Sequence, residues 1–237
     1  MSYAPYVPLS TSKPFGEGLW IVDGPAIGYR LGGVSIPCPT RMTIARLGDG
    51  LWVHSPVELN DEVRAAVATL GPVHHLVVPN GLHTSHARAW AGAFPEATVH
   101  APASISRGKL PPHTALGEHP PAEWHDAFDV EIVRGDGFVE AVFHHRPSRT
   151  LIVTDLMQTF EAKRVDGTLA RTLLRLGGAT GPVGKPSVEV RIMLARHRRA
   201  FRRSVERMKG WRFERIVLAH GPCFERNGIE ELERAFG

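Results

Sequence analysis

Short runs of apolar residues, many of them β-branched, alternate with glycine and proline turns along much of the chain. Runs of this kind are typical of buried or half-buried strands. The predicted strands lie at 19–22, 42–47, 51–53, 75–78, 98–100, 128–133, 138–144, 150–154 and 215–218. Two pairs of these strands flank the tripeptide Gly-Asp-Gly, at 48–50 and 135–137, which predicts two β-hairpins.

Two segments between the strands lack a periodic pattern. Residues 28–39 are rich in glycine and proline and contain few periodic apolar residues, so we expect a loop there. The proline-rich stretch at 101–123 should be a surface loop that is able to cover a site.

Helical segments are interspersed with the strands. They are predicted at 57–70, 86–94, 156–177, 187–209 and 229–236. The pattern is clear in 57–70, where apolar residues recur at helical spacing and Asn60 is suited to cap the helix ahead of Asp61 and Glu62. Strands mixed with helices in this way predict a layered α/β fold.

Length and composition indicate one globular domain. The chain has 237 residues, of which 43% are hydrophobic, and we assign residues 1–237 to a single domain. No window reaches the roughly 18 apolar residues that a membrane span needs, and the N-terminus has no signal-peptide pattern. The only cysteines, Cys38 and Cys223, are too few for a secreted disulfide framework. We therefore expect a cytoplasmic protein without membrane association, and the oligomeric state stays open.

The formal net charge of +4 is unevenly distributed. Residues 163–215 contain 15 Lys or Arg and 4 Asp or Glu, a local charge of +11. Much of this charge lies in the predicted helix 187–209, off its apolar stripe, which favours a solvated outer face. The alternative is a docking surface for an anionic substrate, an acidic partner or a nucleic acid. No aromatic residues that would stack on bases are interleaved with these arginines, so nucleic acid is a minor option.

Five predicted strands end on, or close to, residues that bind metals or transfer protons. In layered α/β folds, strand ends collect along one edge of the sheets, where sites are commonly built. Residues from five separate strands are therefore candidates for one site. They are His54, His83 and His86 after strand 75–78, His144 or His145, Asp155 and His220.

The segment 77–86 is the most informative of these endings. An apolar strand stops at Pro79, and His83 and His86 follow three residues apart at the start of a helix. This spacing allows both imidazoles to face one ion, with zinc as the first metal to consider. The alternative interpretation is that His86 packs at the helix start and that His83 is a solvated loop residue.

The order of motifs resembles the metallo-β-lactamase fold superfamily and, more closely, the DUF4336 family. The motifs are WIVDGP at 20–25, IPCPTRMTI at 36–44, LWVHSP at 51–56, VPNGLH at 78–83, FHHRPSRTLIVTDL at 143–156 and LAHGP at 218–222. The resemblance covers nearly the whole chain and implies a four-layer αββα sandwich. It also implies that Asp155 matches the bridging Asp of a two-metal site, that His220 matches the late His, and that His144 or His145 falls near the distant His.

The chain departs from the superfamily pattern in the turn after strand 75–78. Asn80 and Leu82 stand where the pattern has its first two histidines, and the turn contains no Asp. Asn is a poor zinc ligand and Leu is not a ligand. We therefore expect one divalent metal, with ligands drawn from His54, His83, His86, His144, Asp155 and His220. Zinc is the first choice, iron or manganese is an alternative, and loss of the metal is a further alternative.

The predicted function is a metal-dependent hydrolase of a small ester, thioester or phosphate-bearing substrate. Asp155 would act as a ligand or orient one, and His145 would act as a general acid. An anionic group on the substrate is an option, with Arg146 as its candidate partner. The alternative function is a non-catalytic binding protein on a scaffold that has lost its metal. A third, weaker hypothesis is an oxidoreductase with an iron site.

Overall fold

The computed structural model describes residues 2–31, 34–105, 108 and 110–237. Two sheets form the centre of the fold, one of seven strands in the order β1 to β7 and one of four strands in the order β11-β10-β9-β8. The first sheet contains β1 (Lys13–Gly16), β2 (Leu19–Leu31), β3 (Val34–Leu47), β4 (Gly50–His54), β5 (Val73–Val77), β6 (Thr98–Pro102) and β7 (Thr114–Leu116). The second sheet contains β8 (Phe128–Gly135), β9 (Phe138–His145), β10 (Thr150–Val153) and β11 (Arg215–Leu218).

Six α-helices accompany these strands in the part of the chain that the structure describes. They are α1 (Asp61–Ala68), α2 (Ala87–Ala93), α3 (Thr168–Leu176), α4 (Val188–Leu194), α5 (Arg198–Lys209) and α6 (Gly228–Phe236). None of the helices in the described residues is long and apolar enough to cross a membrane.

The two sheets pack face to face through a shared aromatic core. The Trp52 ring of the first sheet lies 4.5 Å from Phe128 and 5.0 Å from Phe143 of the second, measured between ring centroids. Helices α1 and α2 pack on the outer face of the first sheet, whereas α4, α5 and α6 cover the second. Since each sheet buries one face on its partner and the other under helices, the architecture is the predicted αββα sandwich.

Predictions that depend only on residues close in the sequence, a helix cap and two hairpin turns, are confirmed. The Asn60 side chain accepts a hydrogen bond from the Val63 N–H at 2.8 Å and caps α1. Both Gly-Asp-Gly segments connect antiparallel strands, and Gly48 and Gly137 adopt positive φ angles of 59° and 70° in these turns.

The loop expected at 28–39 is wrong for the residues that the structure describes there. These residues extend β2 and β3 as a long antiparallel hairpin, in which Gly28 pairs with Pro37 and Tyr29 with Ile36. Residues 32 and 33 lie outside the described part of the chain. Strand β3 pairs with β4 only over Thr43–Leu47. Pro37 lies outside this stretch, so its lack of a backbone N–H removes no hydrogen bond to β4.

Two predicted helices are shorter than expected. The segment 156–177 forms α3 only from Thr168, with a 3₁₀ turn before it at Ala162–Arg164. Residues 156–160 are buried, and isolated bridges pair 158 with 185 and 160 with 180. The segment 187–209 is divided into α4 and α5 by a 3₁₀ turn at Ala195–His197. Strand β7 lies within the stretch 101–123, where only a loop was expected, and residues 106, 107 and 109 of that stretch are outside the described part.

Candidate metal centre

Loops from both sheets meet at one edge of the sandwich. Strands β10 and β11 are parallel neighbours, so Asp155 and His220 leave the second sheet at the same edge. Strand β5 of the first sheet leads into the turn that carries His83. One ligand atom from each of His83, Asp155 and His220 can be chosen such that all three lie within 4.8 Å of one another. Three of the predicted site residues, each of which follows a different strand, therefore meet in one cluster.

The imidazole of His83 is held from both sides. Its Nδ1 lies 2.6 Å from Ser55 Oγ, and its Nε2 lies 3.2 Å from Asp155 Oδ2. The backbone N–H of His83 also donates to Asn80 Oδ1 at 3.2 Å. The ring is therefore oriented with Nε2 toward the carboxylate.

The imidazole of His220 has the same orientation. Its Nδ1 lies 2.8 Å from the Pro39 carbonyl oxygen, which only accepts hydrogen bonds, so Nδ1 carries a proton. Its Nε2 lies 3.6 Å from Asp155 Oδ1, and the ring stacks on Phe160 with centroids 5.7 Å apart. The Cys38 thiol also lies 3.3 Å from Nδ1.

Asp155 is buried and held by two side-chain amides. Asn80 Nδ2 donates to Oδ2 at 2.7 Å and Gln158 Nε2 donates to Oδ1 at 2.8 Å. Burial alone would raise the pKa of Asp155, but the positive charge on His83 and the hydrogen bonds from His220 and His83 hold that pKa well below its usual range. The carboxylate is therefore ionised and suited to a cation.

A second buried carboxylate fixes the backbone that carries Asp155. Glu140 accepts the backbone N–H groups of Thr154, Asp155 and Leu156 at 2.7, 2.9 and 3.0 Å. Burial, followed by repulsion from Asp155, raises the pKa of Glu140 to about 7. The sequence analysis missed Glu140, although a lone carboxylate in the apolar strand 138–144 was a signal for it.

Other residues missed from the sequence have supporting roles around the cluster. Ser55 orients His83, and Gln158 holds Asp155. Ser55 follows the candidate His54 at the end of β4, and Gln158 follows the candidate Asp155 after β10. Apart from these positions, nothing in the sequence indicates a role for either residue. Asn80 was noted for replacing a histidine ligand, and the structure shows that its amide instead bonds Asp155.

His54 and His86 lie beside the cluster. His54 is fully buried and stacks on Trp52, and its Nε2 has no hydrogen-bond partner within the described residues. Burial, followed by the charge on His83, lowers the pKa of His54 well below its usual value. His86 precedes α2 and shares a cavity lining with His83, and its Nε2 is also unpartnered within the described residues.

His144 and His145 are not brought together with Asp155. Strand β9 runs antiparallel to β10, so these histidines pair with Leu151 and Thr150 at the start of β10, the end opposite to Asp155. His144 Nδ1 contacts Asp129 at 2.9 Å and its ring stacks on Trp211, whereas His145 Nδ1 contacts Ser148 Oγ at 2.8 Å. The prediction that all five strand ends lie at one edge is therefore wrong for β9, because β9 runs in the opposite direction to β10.

Arg146, the candidate partner of an anionic substrate, is engaged in an ion pair, and so is Arg41. Arg146 bonds Asp129 through Nε at 3.0 Å and through a second, shorter contact. Arg41 is buried, pairs with Asp23 at 2.7 Å and donates to the Leu218 carbonyl oxygen at 2.7 Å. Both guanidinium groups therefore have structural partners.

Two facing sheets between helices, with a histidine and aspartate cluster at the strand ends, define a protein of the metallo-β-lactamase fold class. The metallo-β-lactamase FIM-1 from Pseudomonas aeruginosa, in a mono-zinc form, is similar with a TM-score of 0.59 and 16% identity, over 94% of this chain and 91% of that one. A metallo-β-lactamase from Hirschia baltica has a TM-score of 0.57 and 12% identity, over 94% of each chain.

The metal-soaked flavodiiron core of Flv1 from Synechocystis sp. PCC6803 is also similar, with a TM-score of 0.62 and 10% identity, over 99% of this chain and 60% of that one. Identities this low show a common fold only. The chain belongs to the DUF4336 family, a domain of unknown function, whose model matches residues 28–168. None of the curated proteins matches the chain in sequence.

Proposed function

We propose that the protein is a metal-dependent hydrolase of a small ester, thioester or phosphate-bearing substrate. One divalent ion would be held by His83, Asp155 and His220. The observation that carries this proposal is the convergence of ligand atoms from these three residues within 4.8 Å of one another.

The donor set fits a metal ion because Nε2 of both imidazoles faces the Asp155 carboxylate. Nδ1 of His220 donates to a carbonyl, and Nδ1 of His83 has the Ser55 hydroxyl as its partner. In the metal-free protein both Nε2 atoms donate to the Asp155 carboxylate, and on metal binding these two protons would leave and expose the Nε2 lone pairs. Such an arrangement is favourable with a cation between the acceptors, and an outer hydrogen bond on each ligand histidine is typical of metal sites.

Two imidazoles and a carboxylate suit zinc, and iron or manganese accept the same set. The fold supports either choice, since FIM-1 is described in a mono-zinc form and Flv1 as a flavodiiron core. When bound, the ion supplies a Lewis acid that polarises a carbonyl or phosphoryl oxygen and activates water.

The residues of the chain prepare the site for this reaction. Asn80 and Gln158 hold the Asp155 carboxylate in place, and Ser55 orients His83. The cavity beside the cluster includes His86, which we assign to proton transfer in place of His145. His145 lies at the other end of β10 with Ser148 and is not among the described residues that line this cavity.

The test is elemental analysis of protein purified without a histidine tag, together with single alanine variants. We expect about one equivalent of zinc, iron or manganese, lost in His83→Ala and in His220→Ala. The matched control is His144→Ala, because His144 is also a buried, carboxylate-paired histidine but lies at the opposite edge. Equal metal content in His83→Ala and His144→Ala would contradict the proposed ligands.

The alternative function is a binding protein without metal. It is supported by the replacement of two ligand positions by Asn80 and Leu82, and by the ability of protonated imidazoles to balance Asp155 alone. In that case all preparations contain no metal, and a chelator leaves the melting temperature unchanged.

A further inference from the structure

A cavity of about 130 Å³ adjoins the candidate metal centre. His83, Asp155 and His220 form part of its lining. Most of the remaining lining is apolar and comes from the β2–β3 hairpin, from α3 and from the segments on either side of α3. These apolar residues include Tyr29, Ile36, Phe160, Leu174, Ala179 and Val188.

The turn after β5 contributes to the apolar character of the lining. Leu82 lines the cavity at the position where the superfamily pattern has a histidine ligand, and its side chain is 49% exposed. An apolar side chain thus stands beside His83 where a second metal would need a ligand. Leu82 in place of a histidine therefore adds apolar surface to the cavity lining next to the candidate metal centre.

Among the lining residues that the structure describes, the cationic side chains already have partners, and His83 and His220 contact Asp155. Apart from the histidines, Arg41 is the cationic residue of the lining, and its guanidinium pairs with Asp23 and donates to the carbonyl oxygens of Leu218 and Gly221. Glu189 adds a negative charge to the lining, and it accepts a hydrogen bond from the Tyr29 hydroxyl at 2.5 Å.

Charge and size together restrict what the cavity accepts. An unpaired carboxylate or phosphate in an apolar cavity is strongly disfavoured, and a nearby carboxylate adds repulsion. A cavity of about 150 Å³ lined by apolar side chains accepts benzene, so this one has room for roughly six carbon atoms.

We propose that this cavity binds an uncharged, apolar acyl or alkyl group of about six carbon atoms. The substrate class that fits is therefore a carboxylic ester or thioester with a short apolar chain that carries no charge. The reaction assigned to this substrate rests on the proposed hydrolase function, whereas binding of the apolar group does not require the metal.

The test is calorimetric binding of matched six-carbon probes to protein stripped of metal by a chelator. Hexanamide is the neutral probe and hexanoate, at neutral pH, is the anionic probe. We expect hexanamide to bind at one site and hexanoate at least tenfold more weakly. Decanamide should bind no more tightly than hexanamide, because the cavity does not accommodate the additional carbon atoms. Binding of hexanoate equal to or tighter than hexanamide would overturn the assignment.

Two variants that fill the cavity connect binding to this location. Ala179→Phe places a ring in the buried lining, and Val188→Phe does so at a half-buried position, where folding tolerates the larger side chain better. Each should reduce hexanamide affinity at least tenfold. The control Ala68→Phe, at the exposed end of α1, should leave affinity unchanged. Unchanged binding in a cavity variant with a native melting transition would refute the location.

A charge variant tests the role of Glu189. Glu189→Gln should strengthen hexanoate binding several-fold and leave hexanamide binding nearly unchanged. No change in hexanoate binding would contradict the part assigned to Glu189. Metal content separates the two proposals: stoichiometric metal without hexanamide binding refutes the cavity inference alone, and hexanamide binding in protein that never contains metal refutes the hydrolase alone.

Discussion

The loop that carries Asp155 depends on one buried carboxylate, and Glu140→Ala removes it. Glu140 accepts three backbone N–H groups, from residues 154, 155 and 156, at distances of 2.7 to 3.0 Å. The side chain is fully buried, so water does not replace these acceptors without opening the loop. The substitution therefore leaves three donors without partners near the candidate metal centre.

The expected cost follows from these three bonds. A hydrogen bond to a charged group contributes about 1.5–3 kcal/mol, and a buried donor left unpaired costs about 1–3 kcal/mol. The burial of Glu140, which raises its pKa to about 7, offsets part of this contribution. We expect Glu140→Ala to lower the free energy of unfolding by about 4 kcal/mol, a large fraction of the roughly 5–15 kcal/mol typical of a domain.

The assay is urea unfolding of chelator-treated protein, in which bound metal does not add to stability. The control is Glu131→Ala on the neighbouring strand β8, since Glu131 is buried but pairs with Arg207, whose side chain is 57% exposed. Loss of that pair should cost about 1 kcal/mol or less. If Glu140→Ala is no more destabilising than Glu131→Ala, the reasoning about the three backbone bonds is refuted.

Three further predictions concern the ligand orientation, a helix cap and an acid-sensitive pair. Ser55→Ala removes the partner of His83 Nδ1 and should weaken zinc binding about tenfold or more in a competitive titration, whereas Ser148→Ala should not. Asn60→Ala should lower the free energy of unfolding in urea by about 1 kcal/mol, because it removes the side-chain cap of α1; a loss below a few tenths would contradict this role.

The acid-sensitive interaction is that of the Asp129 carboxylate with Arg146 and His144. Burial raises the pKa of Asp129, but hydrogen bonds from Arg146 and His144 outweigh that effect, so the pKa is lower folded than unfolded. The stability from this group is present above its unfolded pKa and is lost as pH falls through the folded value. Asp129→Asn should therefore flatten the decline in urea midpoint below about pH 4; an unchanged acid limb would contradict it.

The sequence alone determined the features that depend on neighbouring residues. The Asn60 cap and the two Gly-Asp-Gly hairpins were predicted because their hydrogen bonds and backbone angles involve residues close in the chain. The quoted motifs also led to the αββα fold and to the DUF4336 family. The candidate list contained all three members of the cluster, His83, Asp155 and His220, since each follows a predicted strand.

Strand direction and packing decided the rest. The sequence shows that a strand ends at His144 but not that β9 runs antiparallel to β10, and this direction places His144 and His145 at the opposite edge. Pairing with β2 made a strand of residues 34–39, within the segment 28–39 that is rich in glycine and proline, because a partner strand supplied the hydrogen bonds.

Tertiary structure also gave Glu140 and Asn80 their roles, since Glu140 bonds the backbone that follows a neighbouring strand and Asn80 bonds Asp155 from the other sheet. The apolar cavity beside the cluster arises in the same way, because its lining joins residues from the β2–β3 hairpin and from α3. Local sequence thus specified which side chains are available for chemistry. The relative direction of strands, which depends on contacts between distant parts of the chain, selected those that meet.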